Sequence, residues 1–238
     1  MALKLSIIIP AYNEAQRIAP TLRAVKSYAQ SRGFEWECLI VLDGCTDSTR
    51  SVIRDYEYCS KFRILERFQN KGKGYSVREG MLAATGDIRL IMDADSSTTI
   101  EHFEKMLPYF SSGGEIVCCS RNYKDAPGAK YVEPQVFHKR LLGSLGNLFI
   151  QLTVLPGIWD TQCGFKAFTS QAAEAIFRRC KVDGWAWDIE VLVLARQYGF
   201  QTGWAPAEWK DHPGSNVRLQ HYLNVLKDVF AIKARMKK

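Results

Sequence analysis

Residues 89–97 read Arg89-Leu90-Ile91-Met92-Asp93-Ala94-Asp95-Ser96-Ser97, an apolar segment that runs into two carboxylates one residue apart. Because side chains at positions i and i+2 of an extended segment point the same way, Asp93 and Asp95 can present their oxygens to one point in space. Two hard anionic ligands at a strand end suit Mg²⁺ or Mn²⁺, which keep several waters and take further ligands from a substrate's phosphates. The pattern predicts a strand that ends at a divalent-metal site, with an acidic turn cap as the alternative interpretation.

Apolar strands alternate with helical segments through the first half of the chain. Residues 5–9 and 38–42 are runs of mainly aliphatic side chains, typical of strands that are buried on both faces of a parallel sheet. Polar residues follow each run, Asn13-Glu14 after the first and Asp43 after the second. This order predicts an α/β fold, Rossmann-like, with a mostly parallel sheet flanked by helices and ligands at the carboxyl ends of the strands. The acidic motifs are therefore expected to converge on one edge of the sheet.

Length, composition and the motifs that are missing exclude several classes of protein. The chain has 238 residues, 47% hydrophobic and 24% charged, which suits one large soluble domain. No apolar run reaches the roughly 20 residues of a membrane span, and no signal-peptide pattern is present, so we expect a cytoplasmic protein. The seven cysteines lack zinc-site spacing and are expected to be reduced thiols. Neither a Gly-x-Gly-x-x-Gly motif after the first strand nor a Walker motif occurs, which argues against a dinucleotide site and a P-loop.

Positive charge is concentrated near the C-terminus. The formal net charge is +7, and residues 210–238 contain seven Lys or Arg against two Asp. Such an end suits an anionic lipid surface, nucleic acid, or simply solubility in water. Apolar residues recur there at helical spacing, so we divide the chain into a globular domain, residues 1–210, and a basic amphipathic helix, residues 211–238.

The motifs along residues 5–218 resemble those of the inverting family 2 glycosyltransferases, which have the GT-A fold. In the first half the resemblance is carried, in order, by Pro10-Ala11-Tyr12-Asn13-Glu14, Asp43-Gly44-Cys45-Thr46-Asp47, Asn70-Lys71-Gly72-Lys73-Gly74, Ala84-Thr85-Gly86-Asp87 and Asp93-Ala94-Asp95. The later motifs are most similar to those of the polyprenyl-phosphate sugar synthases, in particular the dolichyl-phosphate glucosyltransferase and mannosyltransferase branch. They are Ser120-Arg121, Asp160-Thr161-Gln162-Cys163-Gly164-Phe165-Lys166 and Trp187-Asp188-Ile189-Glu190.

This resemblance implies a nucleotide-sugar site. Asp43 is expected to accept a hydrogen bond from an N–H group of the base, since an ionised carboxylate only accepts; a helix cap is the alternative role. Asp95 is expected to be a metal ligand and catalytic, with Asp93 near both the ribose and the metal. The other residues implied to bind the nucleotide sugar are Pro10, Ala11, Tyr12, Glu14, Lys73 and Ala94.

The resemblance also implies an acceptor site. Arg121, Arg140 and Ser144 are expected to hold the phosphate of a lipid acceptor, and Arg121 and Asp160 are expected to be catalytic together with Asp95. Asp160 is assigned first to positioning the acceptor or the metal and second to proton abstraction, because a lipid monophosphate is already ionised near pH 7. Relatives carry a lysine where this chain has Asn216, and Arg218 or His212 is a candidate to supply the missing charge.

The implied reaction is transfer of a hexose from UDP-glucose or GDP-mannose to a polyprenyl phosphate, with Mg²⁺ or Mn²⁺ and inversion at the anomeric carbon. One alternative is transfer to a hydroxyl of a glycan or another soluble acceptor. From another class, the alternative is a non-catalytic protein that binds a nucleotide sugar or nucleic acid. We expect an enzyme that does not bind nucleic acid.

Residues 137–155 combine an apolar stripe with a polar one. Leucines recur along one helical face, and beside them runs the stripe that contains Arg140 and Ser144. This division is typical of a helix at a membrane surface or of a core helix with one wet edge. Together with the basic C-terminal helix, it leads us to expect peripheral binding at the cytoplasmic face of a membrane. The leucines are Leu141, Leu145, Leu148, Leu152 and Leu155.

Overall fold

The computed structural model of the protein describes residues 3–132, 137–210 and 219–236, with the backbone alone for residues 137–142, 219, 220 and 222. The strands are β1 (Lys4–Ala11), β2 (Glu35–Asp43), β3 (Phe62–Arg67), β4 (Ile88–Ile91), β5 (Ile116–Ser120), β6 (Lys130–Tyr131), β7 (Lys166–Thr169), β8 (Thr202–Pro206) and β9 (Glu208–Trp209). The helices are α1 (Ile18–Arg32), α2 (Thr49–Val52), α3 (Lys73–Ala83), α4 (Leu107–Ser111), α5 (Phe137–Thr153), α6 (Ser170–Phe177), α7 (Trp187–Gln197) and α8 (Leu219–Met236). Two short 3-10 helices span Arg54–Tyr58 and Ile100–Lys105.

Seven strands form one sheet in the order β3-β2-β1-β4-β7-β5-β8. Neighbouring strands are parallel except at β7, which runs antiparallel to both β4 and β5. β6 and β9 pair separately as a short parallel ribbon. This mostly parallel sheet with flanking helices confirms the predicted α/β fold class.

The register explains why the polar motifs meet. Ala11 at the end of β1 pairs with Leu42, the residue before Asp43. Beyond the end of β4, the backbone N–H of Met92 donates to the carbonyl of Ile8 at 3.1 Å, so the following residues reach the same level. Because β7 is reversed, it begins at this edge, and the residues that precede Lys166 arrive there too.

Helices cover both faces of the sheet, which is why β1 and β2 are buried along nearly their whole length. On one face α1 buries Ile18, Leu22 and Val25 in a core shared with the sheet. On the other face α3, α5, α6, α7 and α8 contribute to a second core. The two cores give the molecule three layers, with the sheet in the middle.

α8, which the sequence places in the basic segment 211–238, packs against α5 and α7. Its Val229 and Ile232 are buried in the second core. Arg235 also forms an ion pair of 2.8 Å with Glu190, at the start of α7. α8 is therefore held to the main layer of helices by both apolar and charged contacts.

Candidate functional site

The carboxyl edge of the sheet brings together five of the predicted site residues, which we call the strand-end site: Lys73, Asp93, Asp95, Arg121 and Asp160. Two ion pairs organise it. Lys73 Nζ lies 2.6 Å from Asp93 Oδ1. Arg121 grips Asp160 with two parallel hydrogen bonds, from Nε to Oδ2 at 2.8 Å and from Nη2 to Oδ1 at 2.7 Å. Such bidentate pairs fix orientation as well as charge.

The loop after β4 is held in a specific conformation around Asp95. The backbone N–H of Ser97 donates to Asp95 Oδ1 at 2.9 Å. Ser96 has a left-handed φ of 54°, and its hydroxyl lies 2.7 Å from that of Thr21 on α1. Thr21 also donates to the carbonyl of Ala94 at 2.7 Å. α1 therefore fixes the loop that carries the two aspartates.

Asp93 is partly exposed and ion-paired with Lys73. Burial alone would raise the pKa of Asp93, but Lys73, with smaller contributions from Lys166 and Arg121, holds this pKa below its usual range. Conversely, although burial disfavours the charge on Lys73, Asp93 raises the pKa of this ammonium group. The pair is therefore charged on both sides at neutral pH.

Asp160 is ionised as well. Burial would raise its pKa, yet the guanidinium of Arg121 lowers it, and the Arg121 pKa is raised well above its usual value in return. Arg121 also lies over the ring of Trp209, 5.5 Å from its centre. Its Nη1 has no hydrogen-bond partner among the residues that the structure describes.

The first predicted nucleotide residues lie at the end of β1. Pro10 and Ala11 are buried, whereas Tyr12 is 39% exposed. Glu14 forms an ion pair of 2.7 Å with Arg17. Its pKa is raised, mainly by burial and further by the negative charges of Asp95 and Asp93. That electrostatic coupling shows that the β1 and β4 motifs lie close together, as the sequence predicts.

Asp43 is buried and accepts three hydrogen bonds from the protein itself. Arg67 Nε and the backbone N–H of Lys71 donate to Oδ1 at 2.9 and 2.8 Å, and the backbone N–H of Gly72 donates to Oδ2 at 2.9 Å. Asp43 thereby positions the turn that leads to Lys73. Its contact with a nucleotide base stays a prediction.

The loop before β7 contributes residues that the sequence analysis did not place in the site. Lys166 is completely buried and its Nζ donates to Asp188 Oδ1 at 2.6 Å, as well as to the carbonyls of Thr161 and Cys163. Between those carbonyls, the side chain of Gln162 is exposed. Lys166 therefore fixes the backbone of residues 161–163 from the buried side of the loop. The only sequence signal for this was a pair of opposite charges within otherwise apolar segments.

The predicted acceptor residues are only partly described. Ser144 is exposed on α5, the side chain of Arg140 lies outside the described atoms, and His212, Asn216 and Arg218 lie outside the described residues. Their contact with an acceptor stays a prediction.

The donor set fits the implied metal. No cluster of three or more His, Cys, Asp or Glu side chains suited to a metal ion occurs in the described ranges. Asp95 is the one acidic residue of the strand-end site for which these ranges show no cationic partner. Its Oδ1 accepts a hydrogen bond from the backbone N–H of Ser97, and Asp93 Oδ2 lies against Gly164. Two carboxylates with room for other ligands match the way in which Mg²⁺ and Mn²⁺ bind through water and substrate phosphates. A cavity of about 410 Å³ lies beside Asp95 and is lined in part by Arg17, Thr21 and Lys210, but not by Asp93.

Comparisons with known proteins agree with this geometry. Residues 6–177 match the family model described as Glycosyl transferase family 2. The chain is 34% identical over 245 residues to a dolichyl-phosphate beta-glucosyltransferase of Trichomonas vaginalis, covering 96% of this chain and 72% of the relative. It is 29% identical over 249 residues to the dolichyl-phosphate beta-glucosyltransferase of Homo sapiens, covering 98% and 75%.

A solved structure shows the same fold at low identity. It is the glucosyl-3-phosphoglycerate synthase from Mycobacterium tuberculosis in complex with Mn²⁺, uridine-diphosphate and phosphoglyceric acid, with a TM-score of 0.72 and 16% identity. The match covers 97% of this chain and 77% of that chain. At this identity the likeness concerns the fold alone.

Proposed function

Because this chain belongs to glycosyl transferase family 2, we propose that it moves glucose from UDP-glucose to a polyprenyl phosphate of the dolichyl type, with inversion at the anomeric carbon. The curated relatives described above are dolichyl-phosphate beta-glucosyltransferases, which supports glucose over mannose and a lipid phosphate over a soluble acceptor. GDP-mannose is the donor to be tested against UDP-glucose.

The observation that carries the proposal is the bidentate pairing of Asp160, the candidate for proton abstraction, with Arg121. Asp160 is locked to Arg121 and its pKa is lowered, so it is a weak proton acceptor. Asp188 is ion-paired with the buried Lys166 at 2.6 Å, although burial raises its pKa. A hydroxyl acceptor needs a general base, whereas a phosphate monoester, with a second pKa of about 6, is already a nucleophile at pH 7. A site in which Asp160 and Asp188 are both paired with cations is therefore suited to a phosphate acceptor.

Each residue of the strand-end site has a role in this reaction. Asp93 and Asp95 would hold Mg²⁺ or Mn²⁺, which when bound stabilises the negative charge of the departing diphosphate. Lys73 adds a fixed positive charge next to Asp93. Arg121 Nη1 would donate to the acceptor phosphate and align it with the anomeric carbon, since Asp160 already fixes the plane of the guanidinium. In this scheme Asp160 is a positioning residue.

The test is an assay of UDP and GDP release combined with mass spectrometry of the product. The full chain is incubated with Mn²⁺, with UDP-glucose or GDP-mannose, and with a polyprenyl phosphate, the matching polyprenol, or no acceptor. We expect UDP release and a glucosyl phospholipid only with UDP-glucose and the lipid phosphate. Product from the polyprenol would favour the hydroxyl-transfer alternative, and nucleotide binding without any product would favour the non-catalytic one.

Arg121→Lys tests whether Arg121 contacts the acceptor or the donor. It keeps the positive charge but loses the planar fork that holds Asp160. We expect the KM for the lipid phosphate to rise while the affinity for UDP stays within about twofold, because the fork faces the acceptor in this scheme. An equal loss of UDP affinity would place Arg121 on the donor side instead.

A further inference from the structure

His102 is a buried polar residue that the proposed reaction does not use. It lies in the second 3-10 helix, Ile100–Lys105, shortly after the loop that carries Asp95, and it is only 7% exposed. Its ring lies against the ring of Phe165, with centres 6.3 Å apart. Because the nitrogens of a buried imidazole need hydrogen-bond partners, those partners show which segments this ring connects.

Two hydrogen bonds define the tautomer of the imidazole. The backbone N–H of Glu208 donates to Nε2 at 3.0 Å, so Nε2 carries no proton. The ring proton is therefore on Nδ1, which donates to the carbonyl of Thr99 at 3.1 Å. His102 is thus neutral, and it connects the loop after β4 with β9.

β9 leads directly to Arg121 in the strand-end site. Its second residue, Trp209, lies against the guanidinium of Arg121, which is 5.5 Å from the centre of the ring. The other edge of Trp209 meets the ring of Tyr131 on β6, with centres 5.6 Å apart. The position of β9 therefore determines the surface on which the guanidinium rests.

The middle of β9 depends on His102 for a buried anchor. On either side of the strand, the N–H of Ala207 donates to the carbonyl of Ser120 and the N–H of Lys210 donates to the carbonyl of Ser97. Between these points β9 pairs only with β6, which also has two residues, and so short a two-stranded pair is marginal by itself. The ion pair of Glu208 with Lys105 is exposed to solvent and contributes little.

We infer that His102 is a positioning residue for the acceptor phosphate. The neutral imidazole holds the middle of β9, and β9 holds Trp209 against the guanidinium of Arg121. This role rests on the proposed function, in which Arg121 contacts the acceptor, whereas the hold on β9 does not. Because Ala207 and Lys210 have anchors of their own, loss of the imidazole contact should affect acceptor binding more than donor binding.

The surroundings of His102 favour the neutral ring. Burial lowers the pKa of His102 below its ordinary value of 6.5, and Lys105 lowers it further, against opposing contributions from the Thr99 hydrogen bond, Glu208 and Glu101. The neighbouring elements add no other charge that faces the ring. α1 directs Tyr28 and Arg32 to Glu104, α4 directs Tyr109 to the carbonyl of Trp204, and β8 has no ionisable side chain.

Acid should therefore release β9. As the pH falls below 6.5, Nε2 gains a proton and becomes a donor that faces the N–H of Glu208. Two donors cannot bond to each other, so the contact is lost.

Two amide replacements of His102 separate the positioning role from a purely local one. His102→Gln brings an amide oxygen close to the position of Nε2, so it can still accept from Glu208. His102→Asn is one carbon shorter and reaches only the position of Nδ1, so it can keep the bond to Thr99 but not the one to Glu208. Neither amide titrates. Glu101→Gln changes an exposed neighbour on the same 3-10 helix and is the control.

Transfer to a short-chain, water-soluble prenyl phosphate is measured with each chain at about pH 7.5. We expect the KM for the lipid phosphate to rise about fivefold in His102→Asn and to stay within about twofold in His102→Gln, because only the first loses the hydrogen bond to β9. The affinity for UDP with Mn²⁺, measured by calorimetry, should stay within about twofold in both. Equal KM values in the two variants would overturn the inference.

The pH profile is a readout that a purely structural role would not move. Between about pH 7.5 and 5.5 the original chain should lose affinity for the acceptor more steeply than His102→Gln, because only the original residue titrates. The second pKa of a lipid phosphate, about 6, lies in the same range, but it affects both chains equally. Identical profiles would count against the positioning role.

Hydrogen exchange at the backbone N–H of Glu208 tests the hold on β9 without any substrate. Exchange there should be about fivefold faster in His102→Asn than in His102→Gln at the same pH. In the original chain, after correction for the intrinsic effect of pH, it should accelerate below pH 6.5 relative to the N–H of Cys119 in the main sheet. Unchanged exchange in both comparisons would refute the hold on β9. This exchange pattern in a chain that transfers no glucose would uphold the hold on β9 and reject the proposed function.

Discussion

Gly164 lies so close to Asp93 that a β-carbon on the glycine would be 2.4 Å from Asp93 Oδ2. The loop before β7 and the end of β4 therefore touch through a position where only hydrogen fits. The contact limits the positions that the Asp93 carboxylate can adopt beside the loop that carries Asp95.

Gly164→Ala should displace Asp93 and weaken donor binding more than folding. We expect the affinity for UDP in the presence of Mn²⁺, measured by calorimetry, to fall at least about tenfold, since misplaced ligands lose much of their binding energy. The control is Gly146→Ala on α5, where a β-carbon meets nothing within 4 Å. That change should leave UDP affinity unaltered and stabilise the helix by up to about 1 kcal/mol. Equal UDP affinity in the two variants would contradict the proposed crowding.

Asp95→Asn should leave the fold intact and sharply reduce metal-dependent donor binding. An amide oxygen is a neutral ligand in place of an anionic one, so the affinity for Mn²⁺ together with UDP-glucose should fall at least about tenfold. Thermal shift with UDP-glucose, with and without Mn²⁺, measures this, because a bound donor raises stability. Asp55→Asn, an exposed residue of the first 3-10 helix, is the control. A full Mn²⁺-dependent shift in Asp95→Asn would remove Asp95 from the ligand set.

The buried ion pair of Lys166 and Asp188 should be strongly coupled. Lys166→Met leaves the Asp188 carboxyl buried without its cation and should cost about 3–5 kcal/mol of unfolding free energy in urea titrations. Once the lysine is gone, adding Asp188→Asn should cost little more, so the two effects should be far from additive. The exposed pair of Arg178 and Glu174 gives the control, where Arg178→Met should cost at most about 0.5 kcal/mol. Additive losses at 166 and 188 would show that the pair acts independently.

Glu37 should make the free energy of unfolding depend on pH in the acid range. Burial would raise its pKa, but hydrogen bonds from Ser6, Thr85 and Arg63 lower it to about 2 from an ordinary value of 4.5. Because the folded-state pKa lies below the unfolded one, the stabilisation is complete above pH 4.5 and is lost as the pH falls towards 2.

Glu37→Gln should lower the unfolding free energy at pH 7 by about 2 kcal/mol and flatten its pH dependence between these two values. Denaturant titrations across the acid range measure both effects. The control, Glu35→Gln, changes an exposed residue at the start of the same strand and should preserve the slope. A slope that survives in Glu37→Gln would assign the acid sensitivity to other carboxylates.

Local sequence pattern was sufficient to predict that Glu14, Asp93 and Asp95 lie close together. The aliphatic runs of β1, β2 and β4 predict parallel strands, and parallel strands must end at one edge. The convergence of Glu14, Asp93 and Asp95 follows from that rule and is what the electrostatics of Glu14 show.

The positions of Gly164 and Lys166 and the contacts of Asp43 depend on pairings between distant segments, which no local pattern encodes. β7 enters the sheet in reverse between β4 and β5, and only that reversal brings Gly164 to Asp93. The depth of Lys166 was equally hidden, because a lysine in an apolar segment is usually at the surface. Asp43 was expected to contact a nucleotide base. Its carboxylate accepts three hydrogen bonds from the protein's own donors, and these could be found only from the folded turn at Lys71 and Gly72.

The reversed direction of β7 makes the segment between β5 and β7 a separate insertion in the sheet. Because β5 and β7 are antiparallel neighbours, the chain leaves the sheet after Ser120 and re-enters it at Lys166 almost at the same point, where the N–H of Cys119 donates to the carbonyl of Phe165. Residues 121–165 are thus a cassette that is anchored to the sheet at both ends. The cassette contains Arg121, Ser144 and Asp160. Such a cassette can change length and sequence without shifting the register of β1, β2, β3 or β4.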